Sequence, residues 1–474
     1  MEPMDTGADT GMVADWETLR SLVGLTGQPT IAPIAVSADV VSTWCVAMGV
    51  TDPAYVDGAA APPAMLDVWS MVGLDAGIGA TATTDDPHHR AYGMLSEAGF
   101  TGVVATNSDQ SYDRLLQPGD QLTRHTTLAS VSDRKRTALG EGHFVTTESE
   151  FRDHAGDRVG TLRFTVFKFR PVSGGPGGGD SGAPSPERPR PRWNADQAWH
   201  WEGLRDRELR IQRFPSGRLV HPPQVTDPAT GEPAGGPETA GHHDWVVASG
   251  DATLHSWTVT RHPPHPAFPQ PNVVGLVELA EGVRLVTNVV GVPPERLAVG
   301  MPLVLDFHDT HEDVTLHRFR PVVPPRRDRP RPADEVAAGD RLPLTPIDVT
   351  VDLVTGGAVA TRDPQDVHHD PAAARDKGLP DVFMNILTST GLVTRWIGDW
   401  AGPGAVLDSV RIGLGSPTHP GDLLTLDGGV TSVADGSTIE LAFTGRTERG
   451  THVHGTATVV LPDSGPTSAS GSGG

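Results

Sequence analysis

The chain has 474 residues and one cysteine, Cys45; 37 Lys and Arg stand against 59 Asp and Glu, a formal net charge of −22. At about 150 residues per domain this is length for roughly three domains. The acidic balance disfavours a nucleic-acid backbone or an anionic membrane surface as partner, and a lone thiol excludes an intrachain disulfide, a CxxC redox pair and a cysteine-based zinc ribbon.

Met1 to Asp15 is acidic and lacks the basic and apolar regions of a signal peptide. No run approaches about 18 apolar residues, so no membrane span is expected and a reducing cytoplasm is the expected location. Two stretches read as linkers: residues 173–193, rich in Gly, Pro and Ser, and residues 321–340, rich in Pro and Arg. They separate bodies at 12–172, 194–320 and 341–462, and the low-complexity tail 463–474 is expected to be disordered.

In chain order, the first body has a loop at Gly49–Asp57, then an expected apolar helix, a Pro118-Gly119-Asp120 turn and then long segments rich in β-branched residues. Their alternation predicts antiparallel strands joined as hairpins. The third body repeats this layout, with its turn at Pro420-Gly421-Asp422. Before that turn the spacing predicts a helix over Asp381–Trp400, started by Pro380 and stopped by Gly402 and Pro403. The helix is apolar nearly all round, so it must be buried on most sides. One long helix wrapped by a curved antiparallel sheet is a hot-dog arrangement, and the shared layout marks the two bodies as a repeat.

The segment carrying chemistry lies before that helix, at Thr361-Arg362-Asp363-Pro364-Gln365-Asp366-Val367-His368-His369-Asp370-Pro371. A carboxylate (Asp363) and an imidazole (His368) in one proline-bounded loop can hold a water between them and move protons at neutral pH. The N–H groups and positive end of the following helix suit a thioester oxygen that gains negative charge. This points to addition of water to, or its removal from, an α,β-unsaturated acyl thioester. A solvated His-His-Asp turn is the plainer alternative. A metal at His368, His369 and Asp370 is a third, although adjacent residues rarely converge on one ion and no further ligand completes a site.

The run TRDPQDVHHDP, with Ala374, Gly378 and Leu379 after it, resembles the hydratase motif of the MaoC-like, (R)-specific enoyl-CoA hydratases. The resemblance implies Asp363 and His368 as the catalytic pair and the backbone N–H of Asn385 as the group that polarises the thioester oxygen. Arg362, Gln365 and Asp366 depart from the Gly, Asn and Pro of the motif. With the helix that follows, the run is more similar still to the catalytic subunit of actinobacterial steroid side-chain enoyl-CoA hydratases. No cofactor is implied beyond the coenzyme A of the substrate, and no metal.

Through Gly99-Phe100-Thr101-Gly102-Val103-Val104-Ala105-Thr106-Asn107, Tyr112-Asp113-Arg114 and its Pro-Gly-Asp turn, the first body resembles the N-terminal, non-catalytic half of such dehydratases. Val50 stands where the motif has Asp and Tyr55 where it has His; valine accepts no proton and tyrosine is a poor base at neutral pH. Pro62–Trp69 reads equally as the wall of the acyl pocket or as ordinary core packing, and His88 and His89 read as surface residues. Through Ala198-Trp199-His200-Trp201-Glu202-Gly203-Leu204, Gly217-Arg218-Leu219-Val220-His221-Pro222-Pro223 and Trp245-Val246-Val247-Ala248-Ser249-Gly250 the middle body resembles the OB-fold proteins with a zinc-ribbon hairpin that accompany acyl-CoA enzymes, but Phe214, Pro215 and Ser216 occupy the first cysteine knuckle. The expected fold class is therefore α+β: two hot-dog domains flanking an OB-fold barrel with a degenerate zinc-ribbon hairpin. The expected function is hydration of a steroid side-chain enoyl-CoA, with the OB-fold module docking a lipid-transfer-protein-like thiolase homologue that acts as an aldolase, and the chain forming a homodimer. A MaoC-like dehydratase for another bulky or polyketide-type acyl thioester, or a non-enzymatic acyl-CoA and thiolase scaffold, are the rivals.

Overall fold

The computed structural model describes residues 16–73, 85–137, 139–171, 188–234, 244–262, 267–268 and 270–462. The expected disordered tail lies outside them, as does most of the first linker. Two units separate: one comprises the chain up to 181, 325–343 and everything from 347 onward; the other comprises 182–324 with 344–346. The first and third bodies thus share one unit.

In that unit the first half contributes helix α1 (Ala38–Met48) and strands β1 (Gly102–Tyr112), β2 (Thr123–Val131), β3 (Gly140–Arg152) and β4 (Arg158–Pro171). The second half contributes α2 (Val351–Ala360), α3 (Ile386–Ala401), β5 (Val406–Leu414), β6 (Leu423–Ala434), β7 (Thr438–Thr447) and β8 (Gly450–Val460). The long strands form one antiparallel sheet in the order β2-β3-β4-β1-β5-β8-β7-β6. Outward from the seam, each half places its first strand, then its fourth, third and second. The seam itself pairs Ser409 with Ser111 and Gly413 with Asn107.

The repeat extends to single hydrogen bonds. Gly119 N–H donates to Val36 O and Val36 N–H to Asp120 O; Gly421 N–H donates to Val349 O and Val349 N–H to Asp422 O. Ser37 caps α1 through Val40 N–H, and Thr350 caps α2 through Leu353 N–H. Register shifts fall at matching places, Ala105/Asn107 with Leu407/Ser409 and Leu128/Ser130 with Val430/Ser432. Such bulges bend strands, which lets the sheet curl round α3.

The halves differ in what the sheet wraps. In the second half α3 is buried along nearly its whole length and opens at Ile386, with Asn385 as its N-cap. The expected start at Asp381 is five residues early: Met384 N–H donates to Thr418 O and Phe383 O accepts from His368, so these residues are tied outside the helix. In the first half Pro62–Trp69 is no long helix. It makes two short 3-10 turns, Pro63–Met65 and Val68–Ser70, whose Met65, Leu66 and Trp69 join one core with α1 and α3.

The second unit contains a closed barrel of Asp251–Thr260, Asn272–Leu279, Arg284–Val289, Val314–Pro321 and Pro302–His311, and a small sheet of Leu219–Val220, Arg210–Arg213 and Asp244–Val247. Phe214 is buried at the ribbon turn, where Phe214 N–H donates to Arg218 O. Nearby, the rings of His200, His221 and His317 stand 5.3–6.2 Å apart. Burial and mutual repulsion push His221 down to about 3, and burial pushes His317 down to about 4. The folded unit therefore holds them neutral, whereas the unfolded chain takes up protons near pH 6.5. Their contribution is fully present above about pH 6.5 and is lost as pH falls towards 4. Thermal unfolding followed by tryptophan fluorescence should show this unit losing on the order of 2 kcal/mol for each of His221 and His317 over that range, and His317→Leu should flatten the slope.

Candidate active site

Thr361 ends α2, and Arg362 then takes a left-handed conformation with φ 59°. The turn is closed by Asp363 N–H donating to Ala358 O at 3.1 Å, and Gln365 N–H donates to Asp363 Oδ1 at 3.0 Å. Asp366–His368 make one 3-10 turn, and Asp370 caps the helix Pro371–Asp376 through Ala372 and Ala373 N–H. Lys377 pairs with Asp366 and holds its carboxyl below the usual range. These local devices bring Asp363 and His368 together: His368 Nε2 lies 3.6 Å from Asp363 Oδ2, and both side chains are buried.

His368 Nδ1–H donates to Phe383 O at 2.7 Å, which leaves Nε2 as the free acceptor facing the carboxylate. Its ring packs edge-on against Phe383 at 4.6 Å. Burial lowers the pKa of His368, with Asp363 opposing that shift, so the imidazole is neutral at neutral pH. His369 and Asp370 take no part in this pair: Asp370 is a helix cap.

Asn385 sits at the start of α3, beside Asp363, where its backbone N–H and those of the first turn have no backbone acceptor within the helix. Its side chain does work that the motif comparison missed, since that comparison assigned only the N–H. Nδ2 donates to Thr361 Oγ1 at 2.9 Å and to Asp363 Oδ2 at 3.1 Å, while Oδ1 accepts from Thr388 N–H at 2.7 Å. One amide thus caps α3 and holds the carboxylate. The available signal was Asn at a helix start, an ordinary N-cap.

A cavity of about 210 Å³ opens next to Phe383 and Met384, at the seam of the two halves. Phe144 and Phe167 line it from the first half, and Leu414 and His452 from the second. His452 Nδ1–H donates to Ser416 O at 2.9 Å and its Nε2 accepts from Ser389 Oγ at 2.8 Å, so the ring is fixed. Pro62–Trp69, the candidate wall, does not line this cavity: its large side chains are core, and Pro62 and Pro63 face a smaller cavity of about 70 Å³ beside Tyr55 and Arg326.

The first half repeats the loop without its chemistry. Val50 N–H donates to Cys45 O at 2.8 Å, as Asp363 does to Ala358, so Val50 occupies the position of Asp363. Tyr55 is pushed up to about 12 by burial and Asp52. It cannot act as a base near pH 7. His88 and His89, expected at the surface, are half-buried. With Asp86 they bring three potential ligand atoms within 4.8 Å of one another. Asp86 is engaged as the cap of helix Pro87–Glu97 through His88 N–H, and the charge of Arg124 bears on both rings, so the group reads as a helix start.

Comparison with known proteins agrees with this architecture. A family model described as a FAS1-like dehydratase domain region matches residues 22–162, and one described as the ChsH2 C-terminal OB-fold domain matches residues 245–308. A protein named probable enoyl-CoA hydratase alpha subunit, from Thermomonospora curvata, is 39% identical over 326 residues, 65% of this chain and 96% of its own length. Two proteins of Mycobacterium tuberculosis named 3-oxo-4,17-pregnadiene-20-carboxyl-CoA hydratase also match. The alpha subunit is 36% identical over 62% of this chain and 93% of its own length; the beta subunit is 46% identical over 24% and 86%. A solved MaoC-like dehydratase, 16% identical with a TM-score of 0.50 over 93% of this chain and 99% of its own, shares the fold. The chain belongs to the enoyl-CoA hydratase family of these relatives, hydro-lyases, on the fold of the MaoC-like dehydratases.

Proposed function

We propose that this chain adds water to the α,β double bond of a steroid side-chain enoyl-CoA, with Asp363 and His368 as its catalytic pair. The carrying observation is the buried contact of 3.6 Å between His368 Nε2 and Asp363 Oδ2, beside the N-terminus of α3. A water held by both groups stands ready to lose a proton as its oxygen bonds to the β-carbon; the pair then returns a proton to the α-carbon. Asn385 N–H and the positive end of α3 meet the thioester oxygen as it gains charge. The acyl thioester brings its own coenzyme A and needs no further cofactor. The aromatic and aliphatic cavity suits a bulky apolar acyl group. The steroid assignment is supported by the names of the alpha- and beta-subunit relatives, both of whose sequences this chain resembles.

The same reading has the OB-fold unit docking a thiolase-like aldolase, supported by its match to the ChsH2 OB-fold model. It has the chain acting in the cytoplasm as a homodimer. No described helix is long and apolar enough to cross a membrane. Val46 on α1 is 80% exposed and Val359 on α2 48% exposed, which leaves apolar surface for a second copy. The test is turnover of 3-oxo-4,17-pregnadiene-20-carboxyl-CoA against short and medium linear enoyl-CoA esters, with capture of a purified thiolase-like aldolase as a second arm. Faster turnover of the steroid ester is expected. Faster turnover of the linear series overturns the steroid assignment, no turnover of any ester overturns the enzyme, and failed capture overturns the docking.

A further inference from the structure

The two halves carry the same backbone turn at the end of their first helix and fill it differently. Gly49 follows α1 with φ 67°, and Arg362 occupies the matching place after α2 with φ 59°. The next residue, Val50 or Asp363, reaches back to a carbonyl five positions earlier in both. Left-handed backbone is free to glycine and disfavoured for any residue with a Cβ. The half without an acid keeps the glycine, and the half with the acid accepts an arginine.

The side chain of Arg362 accounts for the exchange. Nε donates to Met71 O at 3.2 Å and Nη2 to Val72 O at 3.3 Å, while Gly73 N–H donates to Arg362 O at 3.2 Å. All three bonds run from the Asp363 loop to the stretch of the first half that follows its second 3-10 turn. Gly73 is itself left-handed, at φ 85°, and a Cβ there would stand 3.3 Å from Nη2. The seat of the guanidinium is therefore shaped from both sides. A charged group donating to carbonyls makes stronger hydrogen bonds than a neutral one, and the planar fork spans two carbonyls where an ammonium serves one.

We propose that Arg362 is a positioning residue: through its clamp on Met71 and Val72 the half without catalytic groups holds the Asp363 carboxylate in line with His368. This rests on the reading of Asp363 and His368 as the catalytic pair. It gives the first half a mechanical part in hydration besides lining the cavity. Misplacing a reacting group by about 1 Å costs up to about 100-fold in rate, so a loosened loop is expected to show in kcat before it shows in binding.

The experiment compares Arg362→Gly and Arg362→Lys with the parent full-length chain, measuring kcat, KM and thermal unfolding. Arg362→Gly relieves the left-handed strain and removes the clamp. It is expected to keep its melting temperature while kcat falls at least about 10-fold and KM changes less than about threefold. Arg362→Lys restores one donor and is expected to recover part of kcat. A glycine variant with kcat within about twofold of the parent overturns the clamp, and so does a fall in kcat that only tracks a fall in the folded fraction. Asp363→Asn runs alongside: if it leaves hydration intact, the catalytic pair itself is wrong; if it abolishes hydration while Arg362→Gly does not, only the clamp fails.

Discussion

Asp363→Asn and His368→Ala are each expected to lower kcat for enoyl-CoA hydration by about 1,000-fold, with the fold intact. Asparagine keeps the shape of Asp363 and the bonds at Oδ1, but it neither attracts a proton nor orients the water as a carboxylate does. Alanine at His368 removes the free Nε2 acceptor and the tie to Phe383. Val50→Ala and Tyr55→Phe in the matching loop are expected to leave kcat within about twofold, since neither position carries a base near neutral pH. Comparable losses in both halves would contradict a single armed site.

The pH dependence follows from the same geometry. Burial sets the imidazole of His368 below its ordinary value of 6.5. The neutral form therefore survives into mildly acidic solution, and activity is lost only as pH falls through the lowered value. The acid limb of kcat/KM, which reports the free enzyme, is expected below pH 6.5. A limb above 6.5 would mean that attraction to Asp363 outweighs burial.

The second large effect is expected on stability. Gly391 lies where α3 crosses α1, and a Cβ there would stand 2.8 Å from both Met48 Sδ and Trp44 Cζ2. Trp44 and Met48 are themselves fully packed. Gly391→Leu is expected to destabilise the hot-dog unit by about 3 kcal/mol in denaturant titration, because an overfilled core must shift backbone or leave its rotamers. Gly398, two turns on, has no atom within 4 Å of its would-be Cβ. Gly398→Ala should instead stabilise by about 1 kcal/mol through helix propensity. Since the first turn of α3 carries Asn385, a helix displaced at Gly391 should also lose activity.

Much of the site was legible because its signals are local. Asp363 and His368 are brought together by one short loop, a 3-10 turn and an Asx-capped helix, all written within a dozen residues. The paired Pro-Gly-Asp turns declared the repeat for the same reason: each closes a few backbone bonds that composition and spacing dictate. The resemblance to the family motif supplied the roles proposed for them. Less legible were the places where neighbours override local preference. The apolar run from Asp381 reads as helix, yet Val382, Phe383 and Met384 are tied to His419, His368 and Thr418 and stay outside it. Pro62–Trp69 reads equally as pocket wall or as core, and only the packed fold puts its large side chains in the core.

The sequence by itself determined the two repeated halves, the absence of cysteine from the ribbon, the acid and imidazole of one loop and their replacement in the other. These are matters of residue identity and short spacing, which any fold of this chain must carry. Only the tertiary structure decided that β1 and β5 join the halves into one sheet, that Asn385 Nδ2 holds Asp363 across 22 positions, and that Arg362 reaches Met71 across 291. Contacts that distant come from how apolar faces and bulged strands pack, and side-chain direction is set by that packing rather than by the neighbours in sequence.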